Sequence, residues 1–325
     1  MRSGRSMLAG LFAVVAIAVA SVREPGPGGS AGPPLGVFRR WQGHETVQAY
    51  ESWLGRPVTH VLDYVGGMPE GATDPWAQID DPSWWCNRWA GTRWQLVLSV
   101  AILPTSAQTL AEGAAGAYDA HWDRFGRTLV ARGCPGAVLR LGWEFNGRFY
   151  HWAAGGKEAA FAAYWRRIVT VLRSIPGQAF RFDWSPLAAN TNADVEAAWP
   201  GDAYVDYVGL DAYDGAPSSL LGKPEERWAW QVNTRYGLAW HAAFAKAHGK
   251  PMSFPEWGVA LRYSDDLGGG DNPYYVEKML EWFGANPVAY AIYFELDAKD
   301  AAHRLMTGQF PAASARFLSL VGGSG

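Results

Sequence analysis

The chain has 325 residues, of which 49% are hydrophobic and 18% are charged, and its formal net charge is −3. This length allows one large buried core in a single domain. The weak charge and the lack of a basic stripe exclude a nucleic-acid partner, which needs clustered cations against its phosphates. The 18 tryptophans indicate either a tryptophan-rich core or a cleft lined with flat apolar rings.

The N-terminal segment resembles an export signal followed by a linker. Arg2 and Arg5 precede an apolar run from Met7 to Ala20, which has the length of a signal peptide and is short for a membrane span. Residues 18–20 (Ala-Val-Ala) offer a cleavage site, so residues 1–20 are predicted to be a signal peptide, with an uncleaved anchor as the alternative. Residues 21–35 are rich in Pro and Gly and are predicted to form a disordered tether. We therefore expect a secreted protein that does not contact the membrane after cleavage, with association with the cell envelope as the alternative.

The chain contains two cysteines, Cys86 and Cys134. Cys86 falls in a short helical stretch and Cys134 lies just before a strand, so both are expected near the lower face of the fold. Export would permit a disulfide between them, and two free buried thiols are the alternative. The seven histidines are scattered and no Cys/His spacing indicates a metal site.

After the tether, short apolar runs alternate with helix-like segments, which predicts a parallel sheet with crossover helices. Helical periodicity is clearest over residues 158–173, 228–248 and 274–283. No Gly-rich phosphate loop follows the first strand, so a dinucleotide-binding fold is disfavoured. We predict an α/β fold in which residues 36–325 form one (β/α)8 barrel domain. The eight candidate strands span residues 36–39, 58–65, 95–103, 137–144, 180–185, 205–213, 251–256 and 289–295.

Two glutamates, Glu144 and Glu256, follow the fourth and seventh predicted strands and are flanked by aromatic residues. Barrel enzymes carry their chemistry at these C-terminal strand ends, and the fourth and seventh strands lie on opposite sides of the mouth. Hydrolysis of a glycosidic bond needs two carboxylates flanking that bond. One strand-end glutamate alone is more often a solvated or capping residue, whereas this pair in aromatic surroundings favours catalysis.

The motifs around these glutamates resemble those of clan A glycoside hydrolases, and most of all glycoside hydrolase family 26, the β-mannanase family. The resemblance covers residues 36–320 and implies Glu144 as the general acid/base and Glu256 as the nucleophile. The segment that ends at Tyr213 and Asp214 is the most specific. The matching segments are RLGWEFNG (140–147) with Trp152 downstream, WSP (184–186), WPGDAYVDYVGLDAYD (199–214) and KPMSFPEWG (250–258).

The resemblance also implies roles for the surrounding residues. Arg140 would point into the barrel and keep Glu256 ionised, and Tyr213 would hydrogen-bond the nucleophile. Trp152 and Trp184 would stack on sugar rings, with core packing as the alternative. The complete set of predicted substrate-binding residues is Arg140, Trp143, Asn146, Trp152, Trp184, Asp211, Tyr213, Trp257, Phe294 and Glu295.

Two positions depart from the family pattern. The family usually has a sugar-contacting histidine directly before the acid/base, where this chain has Trp143. It also tends to carry a tryptophan at the end of the eighth strand, where this chain has Phe294 and Glu295. Glu295 would bind a sugar hydroxyl or pair with a cation, and Asp63, Asp211 and Asp297 could be structural caps.

The sequence thus predicts a retaining glycoside hydrolase that acts on a β-linked polysaccharide or oligosaccharide, as an endo-acting β-mannanase-like enzyme. We expect a monomer that needs no cofactor and no metal. One alternative is the same fold and mechanism acting on xylan, β-glucan or a bacterial envelope polysaccharide. The others are a non-catalytic carbohydrate-binding protein and a structural or adhesion protein of the cell envelope.

Overall fold

The computed structural model describes residues 34–39, 43–66 and 73–322. The predicted signal peptide and almost all of the predicted tether lie outside these residues. Pro34 and Leu35 are the exceptions, because the Pro34 carbonyl accepts from the Ala291 N–H at 3.1 Å and Leu35 begins the first strand and is buried. The C-terminal boundary of the predicted tether was therefore wrong by one residue, since the Leu35 side chain joins the core.

Eight parallel strands form a closed barrel in the described part of the chain, as predicted. Each strand pairs with the next along the chain, and the last pairs with the first. The barrel fold is therefore confirmed. The strands are β1 (Leu35–Phe38), β2 (His60–Val65), β3 (Gln95–Val100), β4 (Val138–Leu141), β5 (Arg181–Trp184), β6 (Tyr207–Gly209), β7 (Met252–Gly258) and β8 (Val288–Phe294).

Helices cover the outside of this barrel, and α1 to α10 follow chain order. Alternate strand residues face the helices, because successive side chains of a strand point to opposite faces. Leu98, Leu139 and Phe254 belong to this outer core, whereas Val97 and Val138 fill the barrel interior. The helices are α1 (His44–Leu54), α2 (Ala77–Asp80), α3 (Ser83–Trp89), α4 (Leu110–Ala114), α5 (Asp119–Ala131), α6 (Glu158–Arg173), α7 (Pro224–Asn233), α8 (Leu238–Ala247), α9 (Pro273–Ala285) and α10 (Pro311–Val321).

The helix predicted over residues 228–248 was wrong, because two helices, α7 and α8, occupy that stretch. Tyr236 has a φ of +57°, which no helix accommodates. A side chain on Gly237 would place its Cβ 2.3 Å from the Gln231 carbonyl oxygen, so the tight turn requires glycine. By contrast, α6 has the predicted bounds and α9 extends the predicted helix at both ends.

Cys86 in α3 and Cys134, before β4, form a disulfide. They link the helix layer to the N-terminal side of the barrel, as their positions in the sequence suggested. In the described ranges no helix has the length and apolar character needed to traverse a lipid bilayer. Short strands Leu261–Arg262 and Ala301–Ala302, which the sequence did not predict, pair antiparallel beside the mouth.

Candidate active site

Glu144 lies in the tight turn after β4 and is held there by the backbone. Its φ of +50° is in the left-handed region that residues other than glycine rarely adopt. The turn is maintained because the Glu144 N–H donates to the Ser185 carbonyl at 2.8 Å, and the Gly147 N–H donates to the Glu144 carbonyl at 2.8 Å. Strained backbone of this kind concentrates at functional sites.

Glu256 reaches the barrel interior through an irregularity in β7. Between the pairs Phe254↔Ala291 and Trp257↔Tyr293, β7 has one more residue than β8, which defines a β-bulge. Phe254 and Trp257 consequently both join the outer core, and Glu256 turns inward. The bulge contains Pro255, which has no N–H to lose from the ladder.

The two glutamates share one cleft at the C-terminal mouth of the barrel. One carboxylate oxygen each of Glu144, Glu256 and Asp211 lies within 4.8 Å of the others. The cleft has a volume of about 670 Å³. Its other lining residues include Tyr150, Tyr213, Trp230, Phe294, Asp300, His303 and the segment 187–190.

Arg140 lies below the glutamates and joins two carboxylates. It is fully buried, donates to Glu256 Oε1 at 2.5 Å and also contacts Asp211. A third hydrogen bond, to Ser99 Oγ at 2.9 Å, orients the guanidinium. Burial lowers the pKa of Arg140, but Asp211 and Glu256 raise it above its ordinary value, so the group stays cationic. Asp211 is itself fully buried, pairs with Arg140 and lines the cleft.

Three further side chains surround the Glu256 carboxylate. Tyr213 donates to Glu256 Oε2 at 2.6 Å, and burial together with the negative charge of Glu256 raises the pKa of Tyr64. The ring of His303 packs on Tyr213 with centroids 4.7 Å apart, and burial lowers the pKa of His303. A neutral imidazole therefore lines the cleft beside a carboxylate that Arg140 and Tyr213 keep in one orientation.

The environment of Glu144, unlike that of Glu256, favours the protonated carboxyl. Burial and the nearby negative charge of Glu256 raise the pKa of the Glu144 carboxyl to about 8, and Arg140 only partly opposes them. At neutral pH, Glu144 therefore holds a proton, whereas Glu256 accepts hydrogen bonds from Arg140 and Tyr213. Two carboxyls whose environments separate their protonation states are an acid and base pair.

Four tryptophans predicted to bind substrate are buried in packing contacts instead. Trp184 packs between Phe145 and Phe244, and Trp257 packs on helix-layer rings. Trp152 stacks on Tyr150, and Trp143 donates its indole N–H to the Tyr150 hydroxyl at 2.8 Å. None of these four indoles lines the cleft. Their predicted sugar contacts were wrong, because strand alternation and the loop after β4 direct them into the core.

Two predicted polar contacts are also structural. Asn146 is fully buried and makes three hydrogen bonds of 2.8 Å to the backbone of residues 187 and 190. Glu295 is buried and accepts the N–H groups of Leu305 at 2.9 Å and Met306 at 3.0 Å. Both side chains hold loops at the mouth and have little capacity left for a sugar. Tyr213 and Phe294 do line the cleft.

Phe149, Tyr150 and His303 are among the cleft residues that the sequence analysis missed. Phe149 is 59% exposed and lies with Tyr150 on the loop after Glu144. Two consecutive aromatics five and six residues after a candidate acid were a signal that could have identified this loop. No comparable local signal marks His303, whose loop folds back over the mouth.

The carboxylates of Glu144, Asp211 and Glu256 form the one group of three potential metal-binding side chains within residues 34–39, 43–66 and 73–322. Arg140 contacts two of these carboxylates. The protein's own guanidinium therefore supplies the positive charge that a cation would bring.

A closed barrel whose mouth holds two carboxyls across one cleft is the arrangement that glycoside hydrolases use, and it places this protein in that class. Comparison with known proteins agrees with this class. Residues 128–249 match the model of glycosyl hydrolase family 26, and the chain is similar to that family, as its motifs indicated.

Solved structures of family 26 share the fold at low sequence identity. A protein of this family from Muricauda sp. MAR_2010_75 is 15% identical, with a TM-score of 0.60 over 89% of this chain and 85% of that one. An endo-β-1,4-mannanase catalytic domain from Bacillus sp. JAMB-750 is 16% identical, with a TM-score of 0.59 over 89% and 85%. An endo-β-1,4-mannanase double mutant from Cellulomonas fimi is 20% identical, with a TM-score of 0.58 over 88% and 70%.

Proposed function

We propose that the protein hydrolyses β-linked polysaccharides with retention of configuration, with Glu144 as general acid/base and Glu256 as nucleophile. The observation that carries this proposal is that one carboxylate oxygen of Glu144 lies within 4.8 Å of one carboxylate oxygen of Glu256. Retaining enzymes separate their carboxyls by about 5–5.5 Å, whereas inverting enzymes leave about 6.5–9.5 Å for a water molecule. The short separation supports direct attack by one carboxylate.

In the first step, Glu256 attacks the anomeric carbon as the glycosidic C–O bond breaks, and Glu144 gives its proton to the departing oxygen. Arg140 and Tyr213 hold one Glu256 oxygen each, which orients the attacking carboxylate. In the second step, ionised Glu144 takes a proton from water as the water oxygen attacks the same carbon. The bond between this carbon and Glu256 breaks as the new bond forms, its electron pair returns to the carboxylate, and the product has its original configuration.

Replacing Glu256 tests the mechanism. Glu256→Ala should lower kcat by roughly 10⁴-fold or more, because no covalent intermediate can form. The fold should persist, since Arg140 keeps its contact with Asp211. Glu225→Ala, which removes an exposed carboxylate of α7, is the matched control and should retain full activity. Near-normal turnover by a folded Glu256→Ala variant would remove Glu256 from the mechanism.

Proton NMR of the first-formed product tests retention, because it reports the anomeric configuration of that product.

For the substrate, we propose a β-mannan cleaved internally. The support is the similarity to family 26 and the endo-β-1,4-mannanases among the structures that share the fold. One observation favours another β-glycan as the second candidate. Trp143 replaces the family's sugar-contacting histidine, and its indole N–H is occupied by Tyr150. Product analysis after incubation with mannan, glucomannan, xylan and mixed-linkage glucan distinguishes the two, and attack on xylan or glucan alone would exclude mannan.

We also propose that the protein acts outside the cell. The signal-like sequence at residues 1–20 and the Cys86–Cys134 disulfide support this location, because disulfides persist in oxidising compartments. Fractionation of the producing cells, with N-terminal sequencing of the mature chain, tests it. A chain recovered from the cytosol with its first 20 residues intact would contradict export.

A further inference from the structure

The imidazole of His303 is held at the mouth of the barrel by its side chain and its backbone. Nδ1 of the ring lies 2.7 Å from the Val259 carbonyl oxygen. The backbone N–H of His303 donates to Asp297 Oδ1 at 3.2 Å, and its carbonyl accepts from the Tyr293 hydroxyl at 2.9 Å. The ring packs on Tyr213 with centroids 4.7 Å apart. These contacts fix both the position and the orientation of the ring.

The contact with Val259 decides which ring nitrogen carries the proton. A carbonyl oxygen can only accept a hydrogen bond, so Nδ1 is the protonated nitrogen. Burial lowers the pKa of His303 and outweighs this hydrogen bond and the carboxylates of Asp300, Glu256 and Asp297, which raise it. The ring is therefore neutral at neutral pH, and Nε2 has a lone pair and no proton.

Nε2 of His303 is a hydrogen-bond acceptor without a donor. Within residues 34–39, 43–66 and 73–322 no group hydrogen-bonds this nitrogen, yet it is not enclosed as the buried unpaired polar atoms are. His303 is only 5% exposed and lines the cleft, so Nε2 is open to the cleft. The rings of Tyr213 and Phe294 pack on both sides. A donor that arrives with a ligand would satisfy this acceptor.

The neighbours of His303 place this acceptor close to the nucleophile. Tyr213, on which the imidazole packs, donates to Glu256 Oε2 at 2.6 Å. A sugar ring whose anomeric carbon is within reach of Glu256 therefore has the imidazole at its edge. The donors that such a ring offers are its hydroxyl groups, and a neutral imidazole nitrogen can accept from one of them.

We propose that Nε2 of His303 accepts a hydrogen bond from a hydroxyl of the sugar ring bound at Glu256, and that it selects substrates carrying this hydroxyl. This inference rests on the proposed function and adds a specificity-determining residue to the site. A substrate without the hydroxyl leaves the acceptor unpaired among aromatic rings, and sites of this kind discriminate strongly against such a substrate.

The test combines two substitutions with a series of substrates. The amide of His303→Asn can still donate to the Val259 carbonyl but has no acceptor at the position of Nε2. His303→Gln has the opposite effect, because its longer side chain places an amide oxygen near that position and loses the donor at Nδ1. The substrates are aryl β-mannobiosides in which the sugar bearing the aryl group is complete or lacks its 2-, 3- or 6-hydroxyl.

Removing one of the three hydroxyls should lower kcat/KM of the wild type about tenfold more than it lowers kcat/KM of His303→Asn. His303→Gln should recover part of this difference. A purely packing role would lower kcat/KM of His303→Asn by the same factor on all four substrates. His248→Asn is the matched control, because His248 follows α8 and pairs with Asp202 outside the cleft. It should leave every ratio unchanged.

Nitrogen-15 NMR of the whole protein with labelled histidines supplies a measurement that does not depend on turnover. The signals of His303 are assigned by their loss in the His303 variants. They should show a protonated Nδ1 and an unprotonated Nε2. In Glu144→Gln, which removes the proton donor, added β-1,4-mannotriose should remain intact and move the Nε2 signal upfield as its hydroxyl is bound.

The outcomes separate the two hypotheses. Equal ratios in the wild type and His303→Asn for all three hydroxyls, or a protonated Nε2, would overturn the role of His303 and leave the hydrolase intact. Wild-type protein that cleaves none of mannan, glucomannan, xylan and mixed-linkage glucan would overturn the proposed function. The Nε2 signal is then followed with mannotriose, xylotriose and cellotriose, and no movement with any of them would overturn the role of His303 as well. Should His303→Asn fail to fold, His303→Gln and the NMR measurement decide the question.

Discussion

The two cleft glutamates have different neighbours. Glu256 has a guanidinium on one oxygen and a phenol on the other. Glu144 has the negative charge of Glu256 nearby and lies among apolar and aromatic walls. The same side chain can therefore be an acid in one position and a nucleophile in the other.

The raised pKa of Glu144 predicts a pH-dependent stability. Folded Glu144 keeps its proton up to about pH 8, whereas an unfolded glutamate loses it near 4.5. Between these values the folded state binds one proton more than the unfolded state, so this group makes wild-type stability fall as the pH rises. The amide in Glu144→Gln cannot titrate, and the variant should gain about 5 °C or more in Tm over the wild type between pH 5 and pH 8.

Thermal unfolding of both proteins across this pH range checks the expectation, since other buried carboxyls contribute equally to both. Glu225→Gln, at an exposed position of α7, is the control and should follow the wild-type curve. A constant difference in Tm between Glu144→Gln and the wild type would show that Glu144 ionises at its ordinary pKa.

One wall of the cleft is an irregular segment, residues 187–190, whose position depends on other elements. The Asn146 side chain binds it with three hydrogen bonds. The Ala189 N–H donates to the Tyr236 carbonyl at 3.1 Å, and Ala189 has a φ of +59°. The wall therefore takes its shape from the β4 loop and from the turn between α7 and α8.

Asn146→Ala should loosen this wall. The substitution leaves the Leu187 N–H and two carbonyls without partners, which costs about 2–4 kcal/mol and lowers Tm by about 5–10 °C. The KM should rise more than kcat falls, because the wall contacts substrate and not the reacting bond. Asn233→Ala is the matched control, since Asn233 is exposed and makes one hydrogen bond, to the Ala229 carbonyl. Equal Tm losses in the two variants would contradict this role for Asn146.

At the scale of the whole molecule, stability and chemistry lie at opposite ends of the barrel. The disulfide joins α3 to the segment before β4, on the N-terminal side. The glutamates lie at the C-terminal mouth. In a barrel, the C-terminal face carries function and the opposite face carries stability.

Removing the disulfide should therefore lower the thermal stability and leave the catalytic activity unchanged. Cys86 and Cys134 are 48 residues apart, and a cross-link over such a loop stabilises by about 4 kcal/mol through the unfolded chain. The Cys86→Ala/Cys134→Ala double variant should lose about 8–16 °C in Tm, yet keep its kcat well below that temperature. Thermal unfolding and kinetics at 25 °C measure both effects. A large loss of kcat at 25 °C would mean that the disulfide also shapes the mouth.

The order of elements follows from local information. Apolar runs of strand length, separated by helical periodicity, are enough to indicate eight repeats and a barrel. The strand-end positions of Glu144 and Glu256 are equally local, because each glutamate is the last residue of a strand that the sequence predicts. Chain order alone placed both at the C-terminal mouth.

What the tertiary structure alone decided is the direction of each side chain. The bulge in β7 turns Glu256 inward and Trp257 outward. The Asn146 side chain hydrogen-bonds a segment more than 40 residues away in the chain. Trp143 and Trp152 pack against Tyr150, and of these three side chains only Tyr150 lines the cleft. A sequence pattern shows that a residue is aromatic or polar at a strand end. Which side chain faces the substrate depends on long-range hydrogen bonds and packing, and these exist only after the barrel has closed.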